Sequence, residues 1–253
     1  MPAPSVIFVP GAFCGGWAFE RFKGPFEAKG LHCLTPDLRG HGPGERRDAA
    51  AGVSMGDYAA DIAALIAAQA EPPVLVGHSL GGLVAQMAAA RETVRALVLL
   101  APSAPWGVAG GSMEEAVSAV SLYALGPFWL QAVEPEFTPA ATYSFDRLGG
   151  AEQKAAFARM VPESGRALWE TLNWWLDPLM TTEVRASRVG APVLGLVGQH
   201  DRVHPPATVT QVAQRLGGTC RVMQGMSHWL VAEPGWEQVA EACLTWLGIE
   251  ASV

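Results

Sequence analysis

Six short runs of apolar and β-branched residues punctuate the chain: Ser5 to Val9, Leu31 to Thr35, Pro73 to Val76, Arg95 to Leu100, Pro192 to Val197 and Thr219 to Met223. Each has the length of a strand. The stretches between them have helical character. Ser54-Met55-Gly56-Asp57 reads as a helix start, with a hydroxyl cap and an acid three residues on, and Ile62, Leu65 and Ile66 follow at helical spacing. Leu80 to Ala90 is alanine-rich and helix-favouring, and Val239, Leu244 and Trp246 mark a helix near the C-terminus. Strand and helix in alternation imply a parallel sheet with helices on both faces.

From about Pro105 to Ser187 the alternation breaks. This stretch holds Trp106, Trp129, Trp169, Trp174 and Trp175, five of the nine tryptophans, with Phe128, Phe137, Phe145 and Phe157 and no good strand. It reads as a helical insertion over a core formed by residues 1–104 and 188–253, a cap on one domain whose aromatics either pack or line a pocket. No internal repeat or linker divides the chain further.

Composition narrows the classes. With 253 residues, half of them apolar, the chain has ample material for a buried core. The net charge of −7 and the lack of a basic stripe exclude nucleic acid and an anionic membrane as expected partners. The start Met1-Pro2-Ala3-Pro4-Ser5 has no basic n-region, and the apolar stretch Val6 to Val9 is too short for a leader or a membrane span, so the expected location is the cytoplasm. Cys14, Cys33, Cys220 and Cys243 lie far apart without metal-ligand spacing, which points to reduced thiols. Cys14 is the one to follow, because the loop leaving the first strand brings it toward the site argued next.

Gly77-His78-Ser79-Leu80-Gly81 sits where the third strand turns into a helix. A serine in that turn is held in a strained conformation, and strand and helix approach so closely that its neighbours must be small, as Gly77, Gly81 and Gly82 are. Ser79 is therefore the candidate nucleophile. A serine hydroxyl needs a base and a group to orient that base. His228, in the loop between the last strand and the C-terminal helix, lies at the edge of a parallel sheet where site residues belong. Asp201 follows the fifth strand, whereas the position after the fourth, Ala101-Pro102-Ser103, holds no carboxylate. His78 should point away from Ser79 and is read as structural; His32, His41, His200 and His204 are read as loop or packing residues. The oxyanion donors are assigned to the backbone N–H groups of Leu80, after the nucleophile, and Ala12, in the loop after the first strand, with Phe13 as the alternative.

Gly11 to Trp17, Asp37-Leu38-Arg39-Gly40-His41-Gly42, Gly77 to Gly82, Gly198 to Asp201 and Gly225 to Trp229, together with the order Ser79, Asp201, His228, resemble the α/β-hydrolase superfamily. Within it the chain is similar to small capped esterases related to plant methyl esterases, hydroxynitrile lyases and bacterial pyrethroid or aryl-ester hydrolases. The likeness covers about the first hundred and the last sixty residues; the insertion matches in position and character. Where that family commonly has His-Gly in the oxyanion loop, this chain has Pro10-Gly11, so a side-chain hydrogen bond that steadies the loop is absent. The first strand begins too early for an N-terminal hairpin, and the expected sheet has six strands, all parallel.

The resemblance implies hydrolysis of a small or medium apolar carboxylic ester or lactone through an acyl-enzyme, with no metal, nucleotide or organic cofactor. Alternatives in the same fold are carbon–carbon bond hydrolysis, hydroxynitrile cleavage and cofactor-free perhydrolysis; a small-molecule receptor without turnover is an alternative of another class. The lyases use a lysine from the cap and a non-glycine residue in the oxyanion loop, whereas here Gly11 is present and Lys154 is the cap's only lysine. Epoxide hydrolases and haloalkane dehalogenases carry an aspartate as nucleophile, which Ser79 argues against. The oligomeric state stays open.

Overall fold

A computed structural model describes residues 5–109 and 112–249. The first four residues, part of the segment read above as lacking a leader, lie outside the described set. The main sheet contains β1 (Ser5–Val9), β2 (His32–Leu34), β3 (Val74–His78), β4 (Ala96–Leu100), β7 (Val193–Gly198) and β8 (Thr219–Met223). All six are parallel, in the order β2-β1-β3-β4-β7-β8, as the sequence implied. Between β4 and β7 lie β5 (Ala132–Val133) and β6 (Glu163–Ser164). The helices are α1 (Gly24–Glu27), α2 (Met55–Ala67), α3 (Leu80–Ala89), α4 (Met113–Leu122), the single turn α5 (Phe137–Pro139), α6 (Gly150–Phe157), α7 (Gly165–Leu172), α8 (Pro206–Arg215) and α9 (Trp236–Trp246).

The central strands are buried on both faces, which is why they read as unbroken apolar runs. Their side chains alternate between two cores. Ile7, Val9, Leu75, Leu97 and Leu99 pack with Tyr58 and Ile62 of α2 and Leu83 of α3. On the opposite face Val6, Phe8, Val76, Val98 and Leu100 pack with Phe22, with Phe26 of α1 and with Val239 and Leu244 of α9. The cap of α2 forms as its sequence predicts: Ser54 Oγ accepts from Asp57 N–H at 3.0 Å while Asp57 Oδ2 accepts from Ser54 N–H at 2.9 Å.

The insertion departs from its expected all-helical character. β5 and β6 form an antiparallel pair, with Val133 opposite Glu163 and Ala132 opposite Ser164. Strands of two residues carry no periodic signature, and β6 is held by buried polar contacts instead: Ser164 Oγ–H donates to Val53 O, and both residues of β6 are fully buried. Among the described residues, no helix is long and apolar enough to cross a membrane.

The strand order sets the site. From β1 the chain moves outward to β2, then crosses back to β3 on the other side of β1, so the loops after β1 and β3 diverge and leave a crevice at their carboxyl ends. The register places Val9 beside Gly77, which brings the loop after β1 against the turn after β3.

Candidate active site

Ser79 occupies the turn between β3 and α3 with φ 52° and ψ −125°, a conformation rarely adopted by residues other than glycine. Three hydrogen bonds hold it there: its N–H donates to Leu100 O at 3.0 Å, and its carbonyl accepts from the N–H of Gly82 at 2.8 Å and of Ser103 at 2.9 Å. The small residues are demanded sterically, since a Cβ on Gly81 would run into the carbonyl oxygens of Val9 and Pro10.

His228 and Asp201 arrive from the loops after β8 and β7. Ser79 Oγ lies 3.1 Å from His228 Nε2, and His228 Nδ1 lies 2.9 Å from Asp201 Oδ2. The other oxygen of Asp201 accepts from the N–H of Val203 at 2.9 Å and of His204 at 2.8 Å, so the carboxylate is fixed before it meets the imidazole. Burial raises the Asp201 pKa, but the facing imidazole and these hydrogen bonds outweigh it and hold the carboxyl below its ordinary range. Burial pushes His228 down, and the Asp201 charge and hydrogen bond push it up further, leaving the ring more basic than usual. With Nδ1–H turned to Asp201, Nε2 is the acceptor for the serine proton. This chain of three can take that proton as the oxygen attacks an electrophile.

The remaining histidines divide by role. His78 donates from Nε2 to the His228 carbonyl at 2.9 Å, with burial lowering its pKa to about 3. That contact ties the end of β3 to the loop that carries the base. His204 does more than pack. Its Nδ1 donates to Ala101 O at 2.8 Å, its Nε2 meets Ser103 Oγ at 3.3 Å, and its ring lies edge-on to that of His228 at 5.2 Å. Burial holds it neutral, with a pKa of about 4. His200 is exposed.

Of the assigned oxyanion donors, Leu80 is the first residue of α3 and has no intrahelical acceptor for its N–H. The Ala12 N–H meets no protein acceptor among the described residues. Phe13, the alternative, is different: its N–H donates to Glu163 Oε2 at 3.1 Å. Gly11 lies so close to the nucleophile that a Cβ there would sit 3.1 Å from the Ser79 Cβ.

A cavity of about 550 Å³ opens over Ser79, with Leu122 of α4, Leu168 of α7, Phe145 and Trp229 among its walls. Cys14 is also in the lining, buried, with its thiol pKa pushed far up by burial and by the Glu163 charge. Glu115 on α4, which no sequence motif marks, enters the same cavity; burial and the Asp201 charge raise its pKa to about 7. Nor did it single out Glu163, a lone acid with no motif around it. Among the described residues, no group of three or more His, Cys, Asp or Glu is arranged to hold a metal ion.

A pyrethroid hydrolase from Sphingobium wenxiniae is 33% identical over 82 residues, a match covering 32% of this chain and 29% of that protein's length. The monoacylglycerol lipase of Paleococcus ferrophilus superposes with a TM-score of 0.71 at 23% identity, over 99% of this chain and 97% of that one. A methylesterase from Arabidopsis gives a TM-score of 0.72 at 16% identity, over 98% and 100%. At such identities these two structures establish a shared fold. The sequence profile described as "Alpha/beta hydrolase family" matches residues 6–242, nearly the whole length, and the chain belongs to that family.

Proposed function

We propose that this hydrolase cleaves small or medium apolar carboxylic esters, or lactones, with Ser79 as nucleophile, His228 as general base and then acid, and Asp201 as the group that orients and charges the imidazole. The observation that carries the reading is the continuous path from Ser79 Oγ through His228 to Asp201, at 3.1 and 2.9 Å. In the first half-reaction, Oγ bonds to the ester carbonyl carbon as its proton passes to Nε2. The negative charge formed on the carbonyl oxygen falls to the amides of Leu80 and Ala12, each such donor supplying about 3 kcal/mol. The tetrahedral adduct then expels the alcohol, which takes the proton from His228. In the second half-reaction, water gives a proton to His228 Nε2 as its oxygen bonds to the acyl carbon; the acyl–Oγ bond then breaks, Nε2 returns that proton to Ser79 Oγ, and the acid leaves.

Residues 105–187 act as a cap over the cavity, whose lining, mostly apolar but with Glu114, Glu115, Glu134 and Glu136 in it, favours substrates without negative charge. Lys154, which a lyase reading would need inside, is exposed on α6 and is not among the lining residues. The test is steady-state turnover of short, medium and aryl esters and lactones by wild type and Ser79→Ala. The expected loss in kcat is roughly 10³- to 10⁶-fold with folding intact. Equal turnover by both proteins would falsify the assignment.

A further inference from the structure

The loop from Pro10 to Gly15 carries one of the two oxyanion donors, yet its own sequence does little to hold it. Pro10 offers neither an N–H nor a polar side chain, and within the loop the backbone makes one hydrogen bond, Cys14 N–H to Gly11 O at 3.2 Å. Phe13, next to Ala12, has φ +62°, a left-handed conformation disfavoured for an aromatic residue. Such a conformation persists only where the surroundings impose it.

The imposing contacts come from the insertion, about 150 residues further along the chain. Glu163 Oε2 accepts from Phe13 N–H at 3.1 Å, and Phe13 O accepts from Val161 N–H at 2.9 Å, so both backbone polar groups of Phe13 are taken by one short segment. Glu163 itself is completely enclosed. Its Oε2 also faces His41 Nε2 at 3.1 Å, and its Oε1 accepts from Tyr58 O–H and from Ser164 N–H, each at 2.7 Å. An isolated buried carboxylate is costly, and this one is tolerated because four donors surround it and fix its direction.

We propose that Glu163 is a positioning residue for the oxyanion hole: from the cap, it fixes the peptide between Ala12 and Phe13 and, through the Ala12 backbone, sets the preceding Gly11–Ala12 peptide, whose Ala12 N–H it thereby aims at the carbonyl oxygen of the substrate. This rests on the serine-hydrolase reading above. His41 and Tyr58 hold the carboxylate in place, and neither touches substrate. The contribution belongs to the transition state, because the Ala12 amide strengthens its bond only as the carbonyl oxygen becomes anionic.

The test compares wild type, Glu163→Gln and Tyr58→Phe against an aryl ester and two inhibitors of one shape. One is a trifluoromethyl ketone, which Ser79 converts into an anionic hemiketal; the other is the corresponding methyl ketone, which binds without that charge. An amide at 163 retains one oxygen for four donors, so the loop loses its fixed aim. The expected result is a fall of about 100-fold in kcat and in trifluoromethyl ketone affinity, with KM and methyl ketone affinity changed less than about threefold. Tyr58→Phe removes one donor and leaves the Phe13 contact, and should weaken trifluoromethyl ketone binding about three- to tenfold. It serves as the probe if Glu163→Gln does not fold. Equal losses for the two ketones, or a defect confined to KM, would mean that Glu163 only shapes the pocket and would overturn the proposal, as would unchanged binding of both. A wild type that forms no hemiketal would instead refute the role of Ser79.

Discussion

Replacing Asp201 by asparagine offers a sharp test of the proposed proton path, because its effect follows from counting donors. Asp201 receives the amides of Val203 and His204 on one oxygen and His228 Nδ1–H on the other. An asparagine has a single oxygen. Turning it toward His228 would leave two amides in the loop without their acceptor, so it stays with Val203 and His204 and presents NH₂ to Nδ1. Donor then faces donor, and the imidazole relieves the clash by moving its proton to Nε2, where it can no longer accept from Ser79. The wrong tautomer costs roughly 10⁴ in kcat, about 5.4 kcal/mol at 1.36 kcal/mol per decade. The assay is kcat for an aryl ester by wild type, Asp201→Asn, Ser79→Ala and the double variant, with thermal unfolding alongside. Because the two residues act through one proton path, the double variant should be no slower than Ser79→Ala alone. The melting temperature should move little, since the two amides keep their acceptor. Retention of a tenth or more of wild-type kcat by folded Asp201→Asn would refute the reasoning and send the search to another acid.

Four further outcomes are expected. Since His228 must be neutral to act as base and its pKa is raised, kcat/KM should climb with pH along a limb centred above 6.5, read from a pH profile of the wild type. Glu115, with its pKa pushed up to about 7, should make the cavity repel carboxylate-bearing esters as pH rises through 7; the ratio of kcat/KM for such an ester to that for its neutral counterpart should fall there in wild type, and Glu115→Gln should lose that fall. The His41–Glu163 pair should be most stabilising between pH 4.5 and 6.5: burial lowers His41, but Glu163 raises it further, so its share is lost as pH climbs past 6.5 through the raised folded value. Glu163 has its folded pKa lowered by His41 despite burial, so its share is lost as pH falls below 4.5; the melting-temperature gap between wild type and His41→Gln should peak inside that window. Phe22→Ala, which opens a hole among Phe8, Phe26 and Trp236, should cost about 3–5 kcal/mol in urea unfolding and leave kcat of the folded protein intact.

What the sequence revealed and what it hid divide along a physical line. β1, β3, β4 and β7 are buried on both faces and left unbroken apolar runs; the turn at Ser79 left its glycines because the Val9 and Pro10 carbonyls exclude any Cβ at Gly81. These signals are local, produced where backbone geometry limits the residue at one position. The apolar run predicts that the third strand ends at Val76, yet it continues to His78, because Gly77 and His78 look like turn residues although they pair with Leu99 and Leu100. Glu163 and His41 carry no such mark. In sequence Glu163 is an acid after a proline, indistinguishable from a surface residue, and its partner lies 122 residues away. Glu115 hid in the same way, in the first turn of α4 beside Glu114, where acids serve the helix terminus as well as any pocket.

That division also bears on how the cavity admits a substrate. The β6–α7 half of the insertion is joined to the core by buried polar bonds: Glu163 to Phe13, His41 and Tyr58, Ser164 Oγ to Val53 O, and Glu170 Oε2 to Met55 N–H at 2.8 Å. Lifting it would strip the Glu163 carboxylate of three of its four donors, Ser164 moving with it, and leave Phe13 with no reason to hold its left-handed conformation, so opening there would dismantle the proposed oxyanion loop. The α4 half is attached differently. Met113, Val117 and Val120 are exposed, and α4 meets the loop after β7 through the surface ion pair of Glu114 with Arg202, a contact of small energetic weight, and through Glu115 Oε1, 4.0 Å from His204 Nε2. Local opening follows the elements with the fewest buried contacts. Any widening of the cavity is therefore expected at α4, which carries Glu115 and Leu122, and amide hydrogen exchange faster in α4 than in β6 and α7 is the measurement that checks it.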